Sequence, residues 1–428
     1  MSPTIRLNAK IFPLIGLVAF VMQLVDPSRA WIILLIGIGG AWMVCRWWAG
    51  GLARSLRLER EMRFGWAQVG DRLEERFTLS NEFVLPATWV TVQDHSTLPD
   101  HYASAATGVD SSSTSQWKVN TQCTRRGVYT LGGTTLETGD PLGVYTITIE
   151  DPTSQTLAVM PPVVALPPFQ ILSSGWAGEG KPHRHALQET INTSHTRPLQ
   201  PGDPVRLIHW KTTARHGDFH VRQFDGSPAG DWWIVLDLER GVQLGAGWDS
   251  TEEHAVILAA SLAARGLGED HPVGLSINGT SAEWIVPRRN EYQLRSLLKA
   301  LAVASPSELP LQEYLQRAGP SIRSHCSLLV ITANPELEWA QSLLPLMWRG
   351  VMPTVFLLDP LSFGGSTHAD AMTSLFQSMS IPCHVIHREV LDNPQARPGH
   401  EGEWEWWISA TGKAIAVRAP REDWRGLR

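Results

Sequence analysis

Asp231-Trp232-Trp233-Ile234-Val235-Leu236-Asp237 is an apolar run closed at each end by a carboxylate, the pattern of a strand buried on both faces. A helical stretch from Glu252 to Arg265 follows it, and Val273 to Ile277 repeats the buried-strand pattern. Further on, the periodicity predicts helices over Tyr292 to Val303, Glu336 to Trp348 and His368 to Met379. It predicts strands over Ser327 to Ile331, Thr354 to Leu358 and His384 to Ile386. Strand and helix in turn imply a mostly parallel sheet with helices on both faces. The tail, with Trp404-Glu405-Trp406-Trp407 and an alternating Ala414 to Val417, is expected to add one or two closing strands at the sheet edge.

Upstream the rhythm changes. From about Trp66 to Val164 the chain shows short alternating runs such as Arg76-Phe77-Thr78-Leu79, Thr88-Trp89-Val90-Thr91-Val92 and Val144 to Ile149, separated by turn formers. This predicts an antiparallel β-sandwich over residues 66–165, with the polar stretch Asp110 to Ser115 as a loop at one end. Pro161-Pro162, Pro167-Pro168 and the Gly-rich run Ser173 to Lys181 then mark a connector over 166–196, leaving 197–428 for the α/β domain.

Residues 1–50 read as a transmembrane helical hairpin. Ile11 to Val25 is apolar, Asp26-Pro27-Ser28-Arg29 interrupts it, and Ala30 to Trp48 resumes it. The first run is short, so Leu7 is expected to extend it while Lys10 snorkels. Trp31, Trp42, Trp47 and Trp48 bracket the second run as interfacial anchors would. Cations crowd both outer flanks, Arg6 and Lys10 before and Arg46, Arg54, Arg57, Arg60 and Arg63 after, whereas the turn offers only Arg29. The positive-inside bias therefore predicts a two-pass protein with both termini and the soluble domains in the cytoplasm. Residues 51–65 are expected to form a basic juxtamembrane linker, lying along anionic headgroups or standing as a solvated helix.

A chain of 428 residues leaves room for two soluble domains beside this hairpin. With 36 Lys plus Arg against 42 Asp plus Glu, the charge of −6 disfavours a nucleic-acid partner, which needs a broad cationic face. The four cysteines, Cys45, Cys123, Cys326 and Cys383, form no close pair of the metal-knuckle or redox kind. No Gly-x-x-x-x-Gly-Lys loop, His-Glu-x-x-His helix or Gly-x-Ser-x-Gly elbow occurs, and the reading is of a protein that is not an enzyme. His183, His185 and His195 have the spacing of a metal-binding strand but fit a polar connector better.

The densest segment runs from Arg197 through Gly202-Asp203-Pro204, Arg206, Ile208-His209-Trp210-Lys211 and Ala214-Arg215 to Arg222. Asp203 is placed to cap a helix from Pro204 to Ala214, on which Arg206, Trp210 and Ala214 share one face and Lys211 and Arg215 another. The five cations Arg197, Arg206, Lys211, Arg215 and Arg222 have two open roles. They form a docking face for an anionic partner surface or phosphate, or they pair internally with Asp203, Asp218 and Asp225.

This stretch resembles the signature of the domain-of-unknown-function family fifty-eight, and Arg125-Arg126-Gly127 with Asp140-Pro141-Leu142-Gly143 is similar to that family's second recurrent motif. The resemblance implies a bacterial protein of the inner membrane with a hairpin, a β-rich region and a von Willebrand factor A-like (Rossmann-like) domain. It also implies partners: a MoxR-type AAA+ ATPase and, in many bacteria, a transglutaminase-like membrane protein. Two departures stand out. Leu199 occupies a position where the family commonly has tyrosine, and Asp237 is followed by Leu238-Glu239-Arg240-Gly241 rather than by the serines of an ion-binding A domain.

The expected function is thus a membrane-anchored scaffold that docks the ATPase and envelope partners, without a cofactor. The alternative is an adhesion or ligand-binding module in which Asp237 and Glu239 hold Mg2+ or Mn2+.

Overall fold

The computed structural model describes residues 2–62, 65–172, 193–198, 208–224, 230–290, 292–391, 405–408, 414–418 and 425–426. The described chain forms two compact units, one built on residues 1–160 and one on 161–396, with parts of the tail assigned to each.

In the first unit the chain opens with strand β1 (Ser2–Leu7), then helices α1 (Ile11–Val25) and α2 (Arg29–Ser55). Eight strands follow: β2 (Leu56–Met62), β3 (Trp66–Gln68), β4 (Arg72–Asn81), β5 (Ala87–Asp94), β6 (Ala105–Val109), β7 (Ser113–Gln122), β8 (Gly127–Gly139) and β9 (Tyr145–Met160). One sheet has the order β1-β9-β8-β5-β6, with β3 also on β9, and the other sets β2, β4 and β7 side by side. Their inward residues, among them Phe77, Leu79, Val90, Val92, Leu136, Ile147 and Ile149, make a common core.

Four expectations need correction here. Leu7 does not extend the first apolar helix, because it lies in β1, opposite Tyr145 of β9. The stretch expected to be a juxtamembrane linker is instead β2, paired with β4 along its whole length from Leu56↔Asn81 to Met62↔Glu75. Its inward positions are Leu56, Leu58, Arg60 and Met62, so Arg60, one of the four arginines that gave the stretch its headgroup-binding look, is buried. The hairpin helix also runs past residue 50, and its last turns join the sandwich core through Cys45, Ala49, Leu52 and Ala53. The polar run at Asp110 is shorter than a loop to Ser115, because β7 begins at Ser113.

Arg60 keeps its charge inside by saturation. Its Nε and Nη2 donate to Glu75 at 2.8 and 3.0 Å, and its Nη1 donates to Asp94 at 2.7 Å. Nη2 also donates to Ser96 at 3.1 Å, and the guanidinium lies 5.0 Å from the Phe77 ring centre. His101 closes the group, with Nε2 3.2 Å from Glu75 and 3.3 Å from Asp94. Burial alone would push the Asp94 carboxyl up, but hydrogen bonds from His101 and Ser96 and the nearby charge of Arg60 hold it at about 2.

The second unit begins with a ribbon of β10 (Thr193–Pro198) against β11 (His220–Phe224), with α3 (Trp210–His216) between them. Six strands then form one sheet: β12 (Trp232–Asp237), β13 (Val273–Asn278), β14 (Trp284–Arg288), β15 (Ser327–Thr332), β16 (Met352–Leu358) and β17 (Cys383–Ile386). The order is β14-β13-β12-β15-β16-β17. β12 runs parallel to β13 and β15, β15 to β16, and β16 to β17, while β14 is antiparallel to β13.

The helices of this unit are α4 (Thr251–Gly268), α5 (Gln293–Ala302), α6 (Leu311–Ala318), α7 (Leu344–Trp348), α8 (Asp370–Ser378) and α9 (Arg388–Leu391). Trp233, Val235, Leu328, Val330, Val355 and Leu357 pack against Leu311, Leu315, Trp339, Met372 and Phe376. On α4, a methyl at Gly266 would meet the Trp232 ring at 2.6 Å, so glycine is what lets that helix approach the sheet. Two corrections belong here. The helix expected over 336–348 divides into a 3-10 segment, Glu338–Leu343, and the short α7, whose first turn holds Pro345. The tail strands Glu405–Ile408 and Ala414–Arg418 pair with each other and not with the sheet edge.

Candidate functional site

The family-like segment folds around a return of the chain. Arg197 lies opposite Val221 and Arg222 opposite Thr196 in the β10–β11 ribbon. An isolated bridge joins Ile208 to Val221, both buried. The His209 amide then donates to the His220 carbonyl at 2.7 Å.

That return fixes where α3 begins. The cap is His209, whose Nδ1 accepts from the Thr212 amide at 3.3 Å and bonds the Thr212 hydroxyl at 2.6 Å. Helix α3 therefore starts at Trp210, not at Pro204, because residues 208 and 209 are held extended against β11. Gly202, Asp203 and Arg206 lie outside the described residues. At the other end Gly217, at φ +80°, closes the helix with its amide on the Thr213 carbonyl, a conformation glycine adopts without strain. The Thr213 hydroxyl accepts from the His220 amide at 3.1 Å.

The helix is short and its outer surface is chemically mixed. Trp210 is 64% exposed and Phe219 53% exposed, and the two rings meet edge to face with centroids 6.4 Å apart. Lys211, Ala214 and Arg215 are also exposed, with Lys211 and Arg215 one helical turn apart. Phe219 escaped the sequence reading because it stands alone between a turn and a strand, where no periodicity marks it. Exposed aromatic residues and arginine are the residue types enriched at protein interfaces, whereas lysine is depleted there.

Asp237 sits elsewhere, at the end of the central strand β12, and is wholly buried. Its Oδ1 accepts from Asn278 Nδ2 at 2.9 Å and from the Glu239 amide at 3.1 Å, and its Oδ2 accepts from the Thr332 hydroxyl at 2.7 Å. Glu239 Oε2 accepts from the Leu311 amide at 3.0 Å. Burial pushes the Asp237 carboxyl up to about 6 even though those bonds favour its charged form. Three of the four carboxylate oxygens thus accept from protein donors, which is a poor fit to a divalent ion that needs several converging oxygens. Among the described residues no three His, Cys, Asp or Glu side chains gather in a metal-holding group. Arg240 turns outward and pairs with Glu308 at 2.8 Å.

The second motif lies in the β-unit and is a piece of turn engineering. Asp140 is buried, and its Oδ2 accepts from the Leu142 and Val144 amides at 3.0 and 3.3 Å while Oδ1 accepts from the Tyr145 amide at 2.6 Å. Gly143 completes the turn at φ +68°. In the Arg125-Arg126-Gly127 element the Tyr129 hydroxyl donates to both arginine carbonyls at 3.1 Å. A methyl on Gly127 would meet that ring at 2.9 Å. Cys123, nearby, is no activated thiol: burial, with the charges of Asp71 and Glu75, pushes it up to about 12.

Compared with known proteins, residues 195–360 match the family described as "Protein of unknown function DUF58". The uncharacterized protein Rv1480 of Mycobacterium tuberculosis (strain ATCC 25618 / H37Rv) is 24% identical over 171 residues, covering 39% of this chain. The chain spans only 54% of that relative's length. The uncharacterized protein YeaD of Bacillus subtilis (strain 168) is 24% identical over 293 residues, covering 65% of this chain and 70% of its own. Among solved structures, the SpRpn10 VWA domain aligns at 10% identity with a TM-score of 0.27, over 40% of this chain and 97% of that one. The CARDB domain of the PF1109 protein from Pyrococcus furiosus aligns at 12% identity with a TM-score of 0.18, over 25% of this chain and 90% of that one. Residues 195–360, which take in most of the ribbon, α3 and the sheet strands from β12 to β16, are thus similar to the family of unknown function DUF58.

Proposed function

We propose that this protein is a non-catalytic scaffold of a bacterial inner membrane, anchored by its helical hairpin, that docks a partner through α3 and the ribbon beneath it. Helix α2 is long and apolar enough to cross a membrane, and α1 is a shorter apolar helix. Strand β1 before the hairpin and β2 after it both belong to the sandwich, which supports a two-pass insertion returning to its starting side. The cations on both flanks make that side the cytoplasm.

In this reading the α/β unit, of von Willebrand factor A-like character, meets a MoxR-type AAA+ ATPase, and a transglutaminase-like membrane protein is a further envelope partner. Both partners come from the family resemblance. The observation that carries the docking role is the exposed Trp210–Phe219 pair flanked by Lys211 and Arg215, in a unit whose buried carboxylate is already satisfied internally. Ion-dependent adhesion, the alternative, lacks an open set of oxygens at Asp237 and Glu239.

The test is co-purification from detergent extract of the full chain with a MoxR-type ATPase from the same genome, wild type against Trp210→Ala and against Lys211→Glu with Arg215→Glu. Loss of capture in both variants supports the docking surface; capture equal to wild type overturns it.

A further inference from the structure

The hairpin is short for its task. Helix α1 has 15 residues and so rises about 22 Å, and the part of α2 outside the sandwich core, Arg29 to Val44, rises about 24 Å. A bilayer's hydrocarbon core is roughly 30 Å thick. Leu7 cannot lengthen α1, because it is hydrogen-bonded into β1. For the charged turn Asp26 to Arg29 to reach the far headgroups, either the bilayer thins or the base of the hairpin is drawn into the near interface.

The sandwich is built for the second course. Two of its loops flank the helix where α2 enters the core. In the β4–β5 loop the Phe83 ring packs against Trp47, centroids 5.2 Å apart, and the Pro86 carbonyl accepts from Trp48 Nε1 at 3.0 Å. In the Asp140–Gly143 turn the following carbonyl, that of Val144, accepts the amides of Asn8 and Ala9 just before α1. Each loop leaves a large apolar side chain in the open: Val84 and Leu142 are both 63% exposed, and Trp47, packed on Phe83, is 54% exposed. Lys10 and Arg46 are exposed at the same level, and the Arg46 guanidinium lies 5.9 Å from the Tyr145 ring centre.

We infer that this end of the sandwich is itself a lipid-contacting surface: Val84, Leu142 and Trp47 seat in the headgroup–acyl boundary of the near leaflet, and Lys10 and Arg46 meet its anionic headgroups. The inference rests on the hairpin being membrane-inserted. Continuity with the apolar hairpin is what names the bilayer as the occupant, since any group covering these residues must share the space around the hairpin's base. It also gives the Asp140-Pro141-Leu142-Gly143 turn a task. Three backbone amides on one buried carboxylate hold the turn rigid while Leu142 is presented outward.

The experiment uses the full chain, with the partly exposed Cys383 changed to serine and the other three native cysteines buried, in vesicles of phosphatidylcholine and phosphatidylglycerol, with an environment-sensitive fluorophore on cysteines introduced one at a time at Val84→Cys, Leu142→Cys, Leu24→Cys and Ser154→Cys. Leu24 reports the hairpin, and Ser154 is an exposed position on β9 about 30 Å along the strand from Tyr145. Lipids carrying a nitroxide near the headgroup are expected to quench the labels at 84 and 142 about twofold, as a shallow seat of roughly 5–10 Å demands, and to leave 154 untouched. Labels at 84 and 142 that behave like 154 while 24 is shielded would overturn the seating and leave the anchor standing. A label at 24 that stays in water would overturn the anchor itself.

Discussion

The Thr332 hydroxyl donates to Asp237 Oδ2 at 2.7 Å, tying together the carboxyl ends of the two central strands β12 and β15. Asp237 is protonated more readily in the folded chain than in the unfolded one, about 6 against 3.8. Stability from this group is therefore complete below pH 3.8 and is lost as pH rises through 6, by about 3 kcal/mol in all. Asp237→Asn should flatten that decline. Thermal melts in detergent at a series of pH values between 4 and 7 will show it as a smaller drop in Tm than in wild type.

Magnesium or manganese should leave the melting temperature of the wild type unchanged. The donors on Asp237 and Glu239 would have to be displaced before an ion could bind, and a rise in Tm with added ion would refute that reasoning.

Arg60→Ala should cost the sandwich about 3–5 kcal/mol, because it strands Glu75 and Asp94 inside the core without their cation. Limited proteolysis would register this as rapid cleavage within residues 56–160. The wild-type network should also loosen in strong acid: the Asp94 pKa is depressed, so its contribution is present at neutral pH and fades as pH falls towards 2.

Gly127→Ala should lower stability by roughly 1–3 kcal/mol, since the added methyl forces Tyr129 off its two carbonyls. Pairing it with Tyr129→Leu should recover part of the loss, a coupling that a double-mutant cycle measures directly.

Trp210→Ala should leave the stability within about 0.5 kcal/mol of wild type, the ring being mostly in solvent. Partner capture should nonetheless weaken more than tenfold, as for other aromatic anchors.

How much of this was legible beforehand depends on whether a residue's neighbours obeyed one rule. Trp232 to Leu236 could be read as a strand because every position is apolar and both faces are covered. In β2 the alternation of Leu56, Leu58 and Met62 was present, but a buried arginine at position 60 breaks the apolar series, and only its distant partners Glu75 and Asp94 explain it. Strand β1 is short and polar, and nothing near it in sequence announces its partner β9. At the candidate site the cations and Trp210 stood out by composition. The start of α3 did not, because the cap depends on Ile208 and His209 being held by β11 across the ribbon. Asp203 had the better capping chemistry by local rules alone.

Because α2 passes from the hairpin into the sandwich core without a break, with Ala49 and Leu52 buried among the strands, the anchor and the fold share a single rod. Leu56, Phe77 and Val90 lie in the same core cluster as that end of the rod. In the anchored state proposed above, such a joint would couple the tilt of the hairpin to the packing of the sandwich.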